Sequence, residues 1–409
     1  MDSATLGYPN VNYKSPATSR TEIMPSASAP SRPLRVFVLL EGTSTSGAVK
    51  PVTQFVREAG RHAESNLEVI VGTFIRGSVA NDLEETFRQL GVTVELIRER
   101  GPWDWRIIPQ LLCMVTSWHP DIVWTHGSKS HFLVRLLCLH HRAKWIATHH
   151  GYTTESWRVR LYNHLDRWSL RGAHRVVTVC RAFADELARR GVPRARLYVQ
   201  HTPIRLRRYR SDPSLPTLRT QLGISADSRI VLTVGRLSSE KGHADLLKAL
   251  AKRRELGRLL PPIAVIVVGD GPERSRLTAL CSEMELHDTV HFVGFHEDVR
   301  SYYSVADLFV LPSHSEGSPN VILEAIDAGV PILATDVGGV SEIVKDEVSA
   351  LLVPAKQPLA LANGINRLLA DESLRKRLIE QGRGVLELHT PEEYFRHIST
   401  VFIECCEVA

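Results

Sequence analysis

One stretch decides the fold expected for this chain: Ile230-Val231-Leu232-Thr233-Val234-Gly235-Arg236-Leu237-Ser238-Ser239-Glu240-Lys241-Gly242. Its first five residues are apolar or β-branched, which is typical of a buried strand. The amphipathic segment from Ala244 to Leu250 predicts a helix directly afterwards. A strand, a glycine-bounded turn and a helix in this order form the repeating unit of a parallel sheet.

The same alternation recurs on both sides of this stretch. Further strand-like runs follow it at residues 264–268, 290–293, 308–311 and 331–334. An earlier series begins at Val36–Leu40 and stops near Val199. The sequence therefore predicts an α/β protein with two Rossmann-like domains that face each other across a deep cleft, with a ligand at the carboxyl ends of the strands.

The domain boundaries follow from composition along the chain. Residues 1–33 are rich in Ser, Ala, Pro and Thr without an apolar period, which predicts a disordered tail. Residues 34–200 form the first predicted domain, and residues 229–390 the second. The polar, basic and proline-bearing segment 201–228 is the predicted linker. Residues 391–409 have helical periodicity and are expected to cross back to the first domain.

Overall composition excludes several classes of protein. The chain has 409 residues, of which 43% are hydrophobic and 23% charged, so it is neither wholly disordered, collagen-like nor a short disulfide-stapled chain. A net charge of +5 does not call for a nucleic-acid partner, and none is expected. The six cysteines lack a zinc-like spacing. Because no apolar run approaches the roughly 20 residues of a membrane span, we expect a cytoplasmic or surface-attached protein.

The turn from Gly235 to Gly242 carries the first candidate site. Its glycines let the backbone approach a polyanion closely, while Arg236 and Lys241 neutralise the charge, so a diphosphate is the natural ligand. One cation about 4 Å from a phosphate charge contributes roughly 4 kcal/mol at an effective dielectric of 20, before desolvation. The turn is neither a Walker loop nor GxGxxG, and a solvated basic turn is the structural alternative.

A second candidate site lies in Glu316-Gly317-Ser318-Pro319-Asn320-Val321-Ile322-Leu323-Glu324-Ala325. Ser318 is predicted as the N-cap and Pro319 as the first residue of a helix whose free N–H groups attract anions. Eight helical residues rise roughly 12 Å, whereas the carboxyl groups of a retaining hydrolase lie about 5 Å apart. Glu316 and Glu324 are therefore expected to serve separate tasks, and a solvated or capping carboxylate is the alternative for each.

Six motifs in this order resemble the family 4 retaining glycosyltransferases (glycosyl transferases group 1). They are Gly235-Arg236…Lys241-Gly242, Val268-Gly269-Asp270-Gly271-Pro272, Phe292-Val293-Gly294-Phe295, Glu316…Glu324, Ala328-Gly329-Val330-Pro331-Ile332 and Gly338-Gly339-Val340-Ser341-Glu342-Ile343-Val344. The resemblance implies a GT-B fold, with the acceptor on the first domain and the nucleotide-sugar on the second. It also implies transfer of a hexose-type sugar from a UDP- or GDP-sugar to a hydroxyl of a glycan or lipid-linked acceptor.

The resemblance assigns roles to the residues of the second domain. Arg236 and Lys241 would hold the diphosphate, and Glu324 would accept hydrogen bonds from the ribose. Glu316 would hold the transferred sugar or phosphate together with the backbone amides of Gly317, Ser318 and Asn320. The other implied donor-binding residues are Gly235, Gly269, Gly271, Phe292, Gly294 and Val321. No metal or other cofactor is expected, and the sequence lacks an Asp-x-Asp motif.

The first domain resembles the family more loosely. Trp124-Thr125-His126-Gly127-Ser128-Lys129 and Ala147-Thr148-His149-His150-Gly151-Tyr152-Thr153 each follow a predicted strand. The resemblance places His150 at the reaction centre, with His149 as a competitor and a structural histidine as the alternative. It places His126, Gly42 and Gly47 on the acceptor side, although the loop Glu41–Ala48 is longer and richer in Ser and Thr than the usual Gly-Gly turn.

A basic segment of the first domain suggests a membrane contact. Residues 151–210 contain 14 arginines, no lysines and four acids. Trp157, Leu161, Leu165 and Trp168 have helical spacing and would form one apolar face. Such a face suits contact with the inner face of an anionic membrane, whereas a core-facing helix with a solvated basic back is the interpretation that the sequence favours. Two other functions remain open, a catalytically silent nucleotide-sugar sensor or scaffold and a nucleotide-sugar epimerase.

Overall fold

The computed structural model of the protein describes residues 32–41, 47, 49–62, 66–77, 82–101, 104–152, 157–206, 215–255 and 261–407. The described residues divide into two compact units. The first unit extends to His201 and also contains the chain from Pro391 onward, and the second extends from Thr202 to Thr390. Of the predicted disordered tail, only Arg32 and Pro33 are described, and Arg32 forms an ion pair with Asp121.

The first unit contains one parallel sheet with the strand order β3-β2-β1-β4-β5-β6-β7. Its strands are β1 (Leu34–Leu40), β2 (Leu67–Arg76), β3 (Thr93–Glu99), β4 (Ile122–His126), β5 (Lys144–His149), β6 (Arg175–Thr178) and β7 (Leu197–Val199). Its helices are α1 (Val49–Arg61), α2 (Asp82–Gln89), α3 (Ile107–Trp118), α4 (Ser128–Leu136), α5 (Trp157–Leu170), α6 (Arg181–Arg189) and, from the end of the chain, α15 (Pro391–Glu407). Strands buried on both faces explain the continuous apolar runs seen in the sequence.

The C-terminal helix α15 is part of the first unit because its aromatic residues complete one of that unit's cores. The Phe402 ring lies 5.5 Å from the Phe55 ring and 5.3 Å from the Trp124 ring, both in edge-on geometry. The Phe395 ring lies 5.1 Å from the Phe55 ring. This aromatic cluster fixes α15 and α1 on one face of the first sheet.

The second unit contains a six-stranded parallel sheet with the order β10-β9-β8-β11-β12-β13. Its strands are β8 (Arg229–Val234), β9 (Ile263–Val268), β10 (Val290–Gly294), β11 (Leu308–Leu311), β12 (Ile332–Thr335) and β13 (Leu351–Val353). Its helices are α7 (Leu215–Gln221), α8 (His243–Glu255), α9 (Arg274–Glu283), α10 (Arg300–Val305), α11 (Asn320–Asp327), α12 (Val340–Ile343), α13 (Pro358–Ala370) and α14 (Glu372–Leu386). The expected α/β class with two Rossmann-like parallel sheets is confirmed.

The segment 201–228 is more structured than a linker. Helix α7 occupies part of its second half, while residues 207–214 lie outside the described residues. Leu218 and Leu222 pack on the core of the second unit. This apolar contact explains why the segment forms a helix on that unit. The prediction of a linker rested on the prolines and arginines and did not consider these leucines.

Both sheets have a point where the strand order reverses, between β1 and β4 in the first and between β8 and β11 in the second. Open parallel sheets bind ligands beside the carboxyl ends of the strands at such a point. Glu41 and Gly127 directly follow the two strands concerned in the first unit. The turn starting at Gly235 and the loop starting at Pro312 follow the corresponding strands in the second unit.

Candidate functional site

The turns that follow the strands of the second unit are joined by backbone hydrogen bonds. The N–H of Gly269, after β9, donates to the carbonyl of Gly294 at the end of β10 over 2.8 Å. The N–H of Leu237, after β8, donates to the carbonyl of Asp270 over 2.9 Å. The predicted donor-binding glycines after β8, β9 and β10 therefore lie along one edge of the sheet.

Two of these glycines are required by close backbone contacts. A Cβ atom on Gly269, whose φ is +138°, would lie 1.9 Å from the carbonyl oxygen of Gly235. A Cβ atom on Gly271 would lie 2.4 Å from the carbonyl oxygen of Leu237. No side chain fits at these distances, so the glycines allow the turn after β9 to pack against the turn after β8. Contact of these turns with a nucleotide remains a prediction.

Lys241 and Glu316, predicted separately, form one ion pair. The Lys241 Nζ lies 2.8 Å from Glu316 Oε1 and 2.9 Å from Oε2. The hydroxyl of Ser313 donates to the same Oε1 over 2.6 Å. Because the Glu316 side chain is only 5% exposed, its negative charge is stabilised mainly by the ammonium and this hydroxyl. The pair joins the turn after β8 to the loop after β11.

The backbone around Glu316 is held as closely as its side chain. The N–H of Gly339 donates to the carbonyl of Glu316 over 3.2 Å. Gly338 has a φ of +52°, and a Cβ atom there would lie 1.9 Å from the same carbonyl oxygen. On the other side, His314 donates its N–H to the carbonyl of Glu240 over 2.7 Å. The loop that carries Glu316 is therefore fixed by the neighbouring turns on both sides.

The start of α11 differs from the prediction by one residue. Pro319 has extended backbone angles and precedes the helix, which begins at Asn320. Ser318 does not cap α11, because its hydroxyl accepts hydrogen bonds from the Thr202 N–H over 3.0 Å and the Thr202 hydroxyl over 2.9 Å. The Thr202 hydroxyl also contacts the Asn320 side-chain oxygen. Sequence reasoning missed Thr202, which lies in the segment assigned to the linker.

Glu324 has a different partner from Glu316. The Tyr303 hydroxyl lies 3.3 Å from Glu324 Oε2 and 3.0 Å from the carbonyl oxygen of Val321. The two carboxylates thus occupy separate surroundings, as expected for separate tasks. Their roles toward a ribose and a sugar, and that of Gly317 between them, remain predictions.

The remaining donor-side residues lie at the ends of β8 and β10. Arg236 is exposed on the turn after β8. At β10, the Arg274 guanidinium lies 5.2 Å from the Phe292 ring centre and donates to the Phe292 carbonyl over 3.1 Å. Arg274 was missed because α9 carries no motif of its own.

In the first unit, His126 and His150 are in direct contact. The Nδ1 atom of His126, at the end of β4, lies 3.1 Å from Nε2 of His150, which follows β5. Burial and the neighbouring His150 lower the pKa of His126 well below its usual value. Burial and the charges of His149 and His131 lower the pKa of His150 to about 3. Both rings are therefore neutral at pH 7, and one donates a hydrogen bond to the other.

His149 belongs to a separate buried network. Its Nδ1 atom lies 3.7 Å from Asp166 Oδ2, and burial lowers its pKa to about 4. Asp166 also accepts a hydrogen bond from Tyr152 over 2.7 Å and contacts His131 Nδ1 at 2.5 Å. These contacts favour a structural role for His149 and leave His150 as the candidate for the reaction centre. Asp166 was missed, since nothing around it in the sequence marks it.

The histidine network predicts a loss of stability in acid. Because the folded pKa values of about 4 for His149 and about 3 for His150 lie below the unfolded value of about 6.5, the unfolded chain binds these protons first as the pH falls. The stability that His149 and His150 contribute to the folded protein is complete above pH 6.5. It is lost as the pH falls toward 4 and then 3. Near pH 5, these two histidines together should lower the free energy of unfolding by about 2 to 3 kcal/mol for each unit by which the pH falls.

Urea unfolding at pH 7 and pH 5 measures this loss. His131 acts in the opposite sense, since Asp166 raises its pKa although burial disfavours its cation. Replacing His150 with Asn should flatten the pH dependence by about 1 kcal/mol per pH unit. His287→Asn, at an exposed position of the second unit, is the matched control. An unaltered pH dependence in His150→Asn would contradict a His150 ring that stays neutral in the folded protein.

The acceptor-side glycines are only partly described. Gly42 lies outside the described residues, and Gly47 is exposed with a φ of +57°. Glu41, which sequence reasoning did not select, lies at the end of β1 and accepts a 2.6 Å hydrogen bond from the Ser130 N–H in the first turn of α4. Burial raises the pKa of this carboxyl group. A carboxylate side chain thus already occupies the start of α4.

Comparison with known proteins agrees with this architecture. Residues 52–208 match the family model described as Glycosyltransferase Family 4, and residues 216–385 match Glycosyl transferases group 1. The chain is 33% identical over 41% of its length to LpsE of Rhizobium meliloti, a lipopolysaccharide core biosynthesis glycosyltransferase. It is 37% identical over 40% of its length to the alpha-D-kanosaminyltransferase of Streptomyces kanamyceticus. These matches cover 47% and 42% of the relatives, so the chain spans about half the length of the curated relatives it matches.

A solved structure covers more of the chain. HepE from Anabaena, crystallised with UDP and glucose, superposes with a TM-score of 0.76 over 91% of this chain and 100% of its own, at 21% identity. This likeness confirms the GT-B type of fold. With both units matched by the two family models, the chain belongs to glycosyltransferase family 4, and its second unit is of the glycosyl transferases group 1 type.

Proposed function

We propose that the protein is a retaining glycosyltransferase that moves a hexose-type sugar from a UDP- or GDP-sugar to a hydroxyl of a glycan or lipid-linked acceptor. The Lys241–Glu316 pair carries the proposal, because it puts an ammonium and a buried carboxylate beside the start of α11. Family membership and the UDP bound to the structural neighbour HepE support it. LpsE, which is named for lipopolysaccharide core biosynthesis, supports a role in glycan or glycolipid assembly.

The reaction needs stabilisation of a departing diphosphate. Breaking the sugar–phosphate bond leaves negative charge on the phosphate oxygen, which Lys241, Arg236 and the N–H groups at the start of α11 would stabilise more in the transition state than in the ground state. The first N–H groups of a helix have no carbonyl acceptor within the helix, so they can donate to an anion instead. Such prearranged donors act without reorganising during the reaction.

Retention follows if the acceptor attacks from the face that the phosphate leaves. The acceptor oxygen then bonds to the sugar carbon, and its proton passes to the departing phosphate oxygen, so no protein nucleophile is needed. Glu316 is engaged by Lys241 and Ser313, which favours a role in holding sugar hydroxyls rather than attacking the sugar. His150 is neutral, so its ring can donate a hydrogen bond to a sugar hydroxyl or accept one from it.

The same proposal includes transfer without a metal ion. The two cations proposed to bind the diphosphate, Arg236 and Lys241, and the lack of an Asp-x-Asp motif support it. Among the described residues, no group of three or more His, Cys, Asp or Glu side chains is placed to hold a metal. Activity in excess EDTA should equal activity without it, and a loss that Mg²⁺ or Mn²⁺ restores would contradict metal independence.

Ligand protection followed by turnover tests the function. A nucleotide-sugar present at 100 times its dissociation constant should stabilise the protein by about 2.7 kcal/mol, so thermal unfolding with UDP-, GDP- and ADP-sugars identifies the donor. Release of nucleoside diphosphate should then depend on an added acceptor. Protection without release would indicate a sensor or scaffold, and a changed sugar nucleotide without acceptor an epimerase. Protection by no nucleotide would contradict the proposal.

A membrane contact through the basic first unit is proposed as well. Leu161 and Trp168 of α5 are 48% and 44% exposed, while Leu165 between them is half-buried, so this part of the predicted apolar face does not simply face the core. The Arg135 guanidinium lies 5.4 Å from the Trp168 ring centre, which puts a cation beside the apolar side chains. In the part of the chain that the structure describes, no helix is long and apolar enough to cross a bilayer.

Vesicle sedimentation tests this contact. The protein should sediment with vesicles containing phosphatidylglycerol and remain in solution with purely zwitterionic ones, because each basic residue near an anionic surface contributes about 1 kcal/mol. The double substitution Leu161→Glu and Trp168→Glu should lower the bound fraction at least fivefold. Leu359→Glu, at an exposed leucine of the second unit, is the control. Equal sedimentation of all three proteins would contradict the contact.

A further inference from the structure

The first unit contains a cavity of about 310 Å³ that none of the assigned residues explains. It opens beside the carboxyl ends of β1 and β2 and between the starts of α3 and α4. Its walls are mainly apolar, with Trp105, Ile108, Phe132, Leu133, Leu136 and Leu165 among the lining side chains. A cavity of this size and lining is typical of a small-molecule site.

The rim of the cavity leaves apolar surface in water. Trp105 is 64% exposed, and Leu136 is also exposed, although both line the cavity. Covering this surface with an apolar ligand would remove it from water, which is favourable in proportion to the area covered. A sugar alone would find few polar partners on these walls and would have to give up its hydrogen bonds to water.

The polar end of the cavity carries two cations, Arg76 and Lys129. Arg76 and Lys129 line the cavity and both pair with the buried carboxylate of Glu99, so two cations share one anion. Of the two acidic residues that line the cavity, Asp104 is paired with Arg106, and Glu41 accepts the hydrogen bond from the Ser130 N–H. Among the described residues, Arg76 uses only its Nε in this pairing and is 57% exposed, so its terminal nitrogens are available to a further anion.

The cationic end of the cavity lies beside the carboxyl ends of the strands of the first unit. Arg76 is the last residue of β2, Glu99 the last residue of β3, and Lys129 lies just after β4. Glu41, at the end of β1, also lines the cavity. The cavity therefore lies at the point where the strand order of this sheet reverses, and Lys129 accounts for the last residue of the Trp124–Lys129 motif.

We propose that this cavity binds the acceptor, and that the acceptor is an amphiphile whose apolar segment fills the Trp105–Leu136–Leu165 end while its anionic group contacts Arg76 and Lys129. The inference rests on the proposed function, since it names the acceptor class of that reaction. It differs from the membrane contact, because it concerns one bound molecule in a cavity rather than a surface lying on a bilayer.

Calorimetry with three small probes tests the proposal on the full chain without any donor. Octyl phosphate below its micellar concentration combines both features, octanol has only the apolar one, and inorganic phosphate has only the charge. Octyl phosphate should bind at least tenfold more tightly than either of the others. Trp105→Ala and Arg76→Gln should each weaken its binding at least tenfold, and both positions are exposed enough for the fold to tolerate the change.

Arg88→Gln is the matched control for the charge. Arg88 is an exposed arginine of the same unit that pairs with Glu84, and it does not line the cavity. Its substitution should leave octyl phosphate binding unchanged. Equal affinity for octanol and octyl phosphate, no binding of octyl phosphate, or full binding by Arg76→Gln would each overturn the proposal. Protection by nucleotide-sugars is measured separately on the same proteins, so failure of the donor site and failure of this cavity are distinguishable.

Discussion

Turnover of the Lys241→Ala variant is expected to fall by about 10²–10³-fold, which is the usual cost of removing one prearranged donor from a site where charge develops. The structure adds a second consequence, because Lys241 is the only cation that contacts the buried Glu316 carboxylate among the described residues. Without the ammonium, that carboxylate keeps only the Ser313 hydroxyl. The free energy of unfolding should therefore also fall, on the order of 1–3 kcal/mol.

A double variant separates catalysis from stability. Lys241→Ala combined with Glu316→Gln removes the unpaired charge, so it should recover stability without recovering turnover. Lys248→Ala is the control, since Lys248 is a more exposed lysine of the same unit whose Nζ lies 3.7 Å from Asp245. Steady-state release of nucleoside diphosphate gives the readout. If both Lys241→Ala and Glu324→Ala transfer sugar at the parent's rate, the donor-site assignment is wrong.

Alanine at position 338 is expected to disturb the donor site without touching any charged group. Its Cβ atom would lie 1.9 Å from the Glu316 carbonyl oxygen, and the φ of +52° is itself unfavourable for alanine. Because the colliding atom is backbone, the loop that carries Glu316 must move. We expect a loss of more than about 1 kcal/mol in the free energy of unfolding and no protection by a nucleotide-sugar.

The matched control is Gly384→Ala in the same unit. Gly384 lies in α14, and a Cβ atom there would have no neighbouring atom within 4 Å. Alanine should stabilise this helix by roughly 0.5–1 kcal/mol and leave ligand protection intact. Urea unfolding with and without the nucleotide-sugar measures both quantities. Equal stability and equal ligand protection in the two variants would show that the close contact at Gly338 affects neither folding stability nor nucleotide-sugar binding.

The sequence was sufficient for the fold because parallel strands covered on both faces produce unbroken apolar runs, such as the one at β8. It also located the turns of the second unit, since Gly269 and Gly271 mark backbone contacts that only glycine permits. The predicted cap at Ser318 was wrong because a local rule competed with a tertiary contact, and the hydroxyl bonds to Thr202 instead.

Other parts of the sites depend on contacts between distant residues. The Lys241–Glu316 pair joins turns 75 positions apart, so neither residue reveals its partner locally. In the Arg76–Glu99–Lys129 cluster, Arg76 and Glu99 end strands that carry no motif at that position, and the motif that contains Lys129 does not reveal either partner. Asp166 lies in the middle of α5 and becomes recognisable only when His131 and Tyr152 are placed around it.

A crystal structure of the protein with a bound UDP- or GDP-sugar tests the central claim most directly. The account predicts that the two phosphates contact Lys241 and Arg236 beside the first turn of α11, with Glu316 facing the sugar. Phosphates bound elsewhere, with both cations remote from them, would contradict the account.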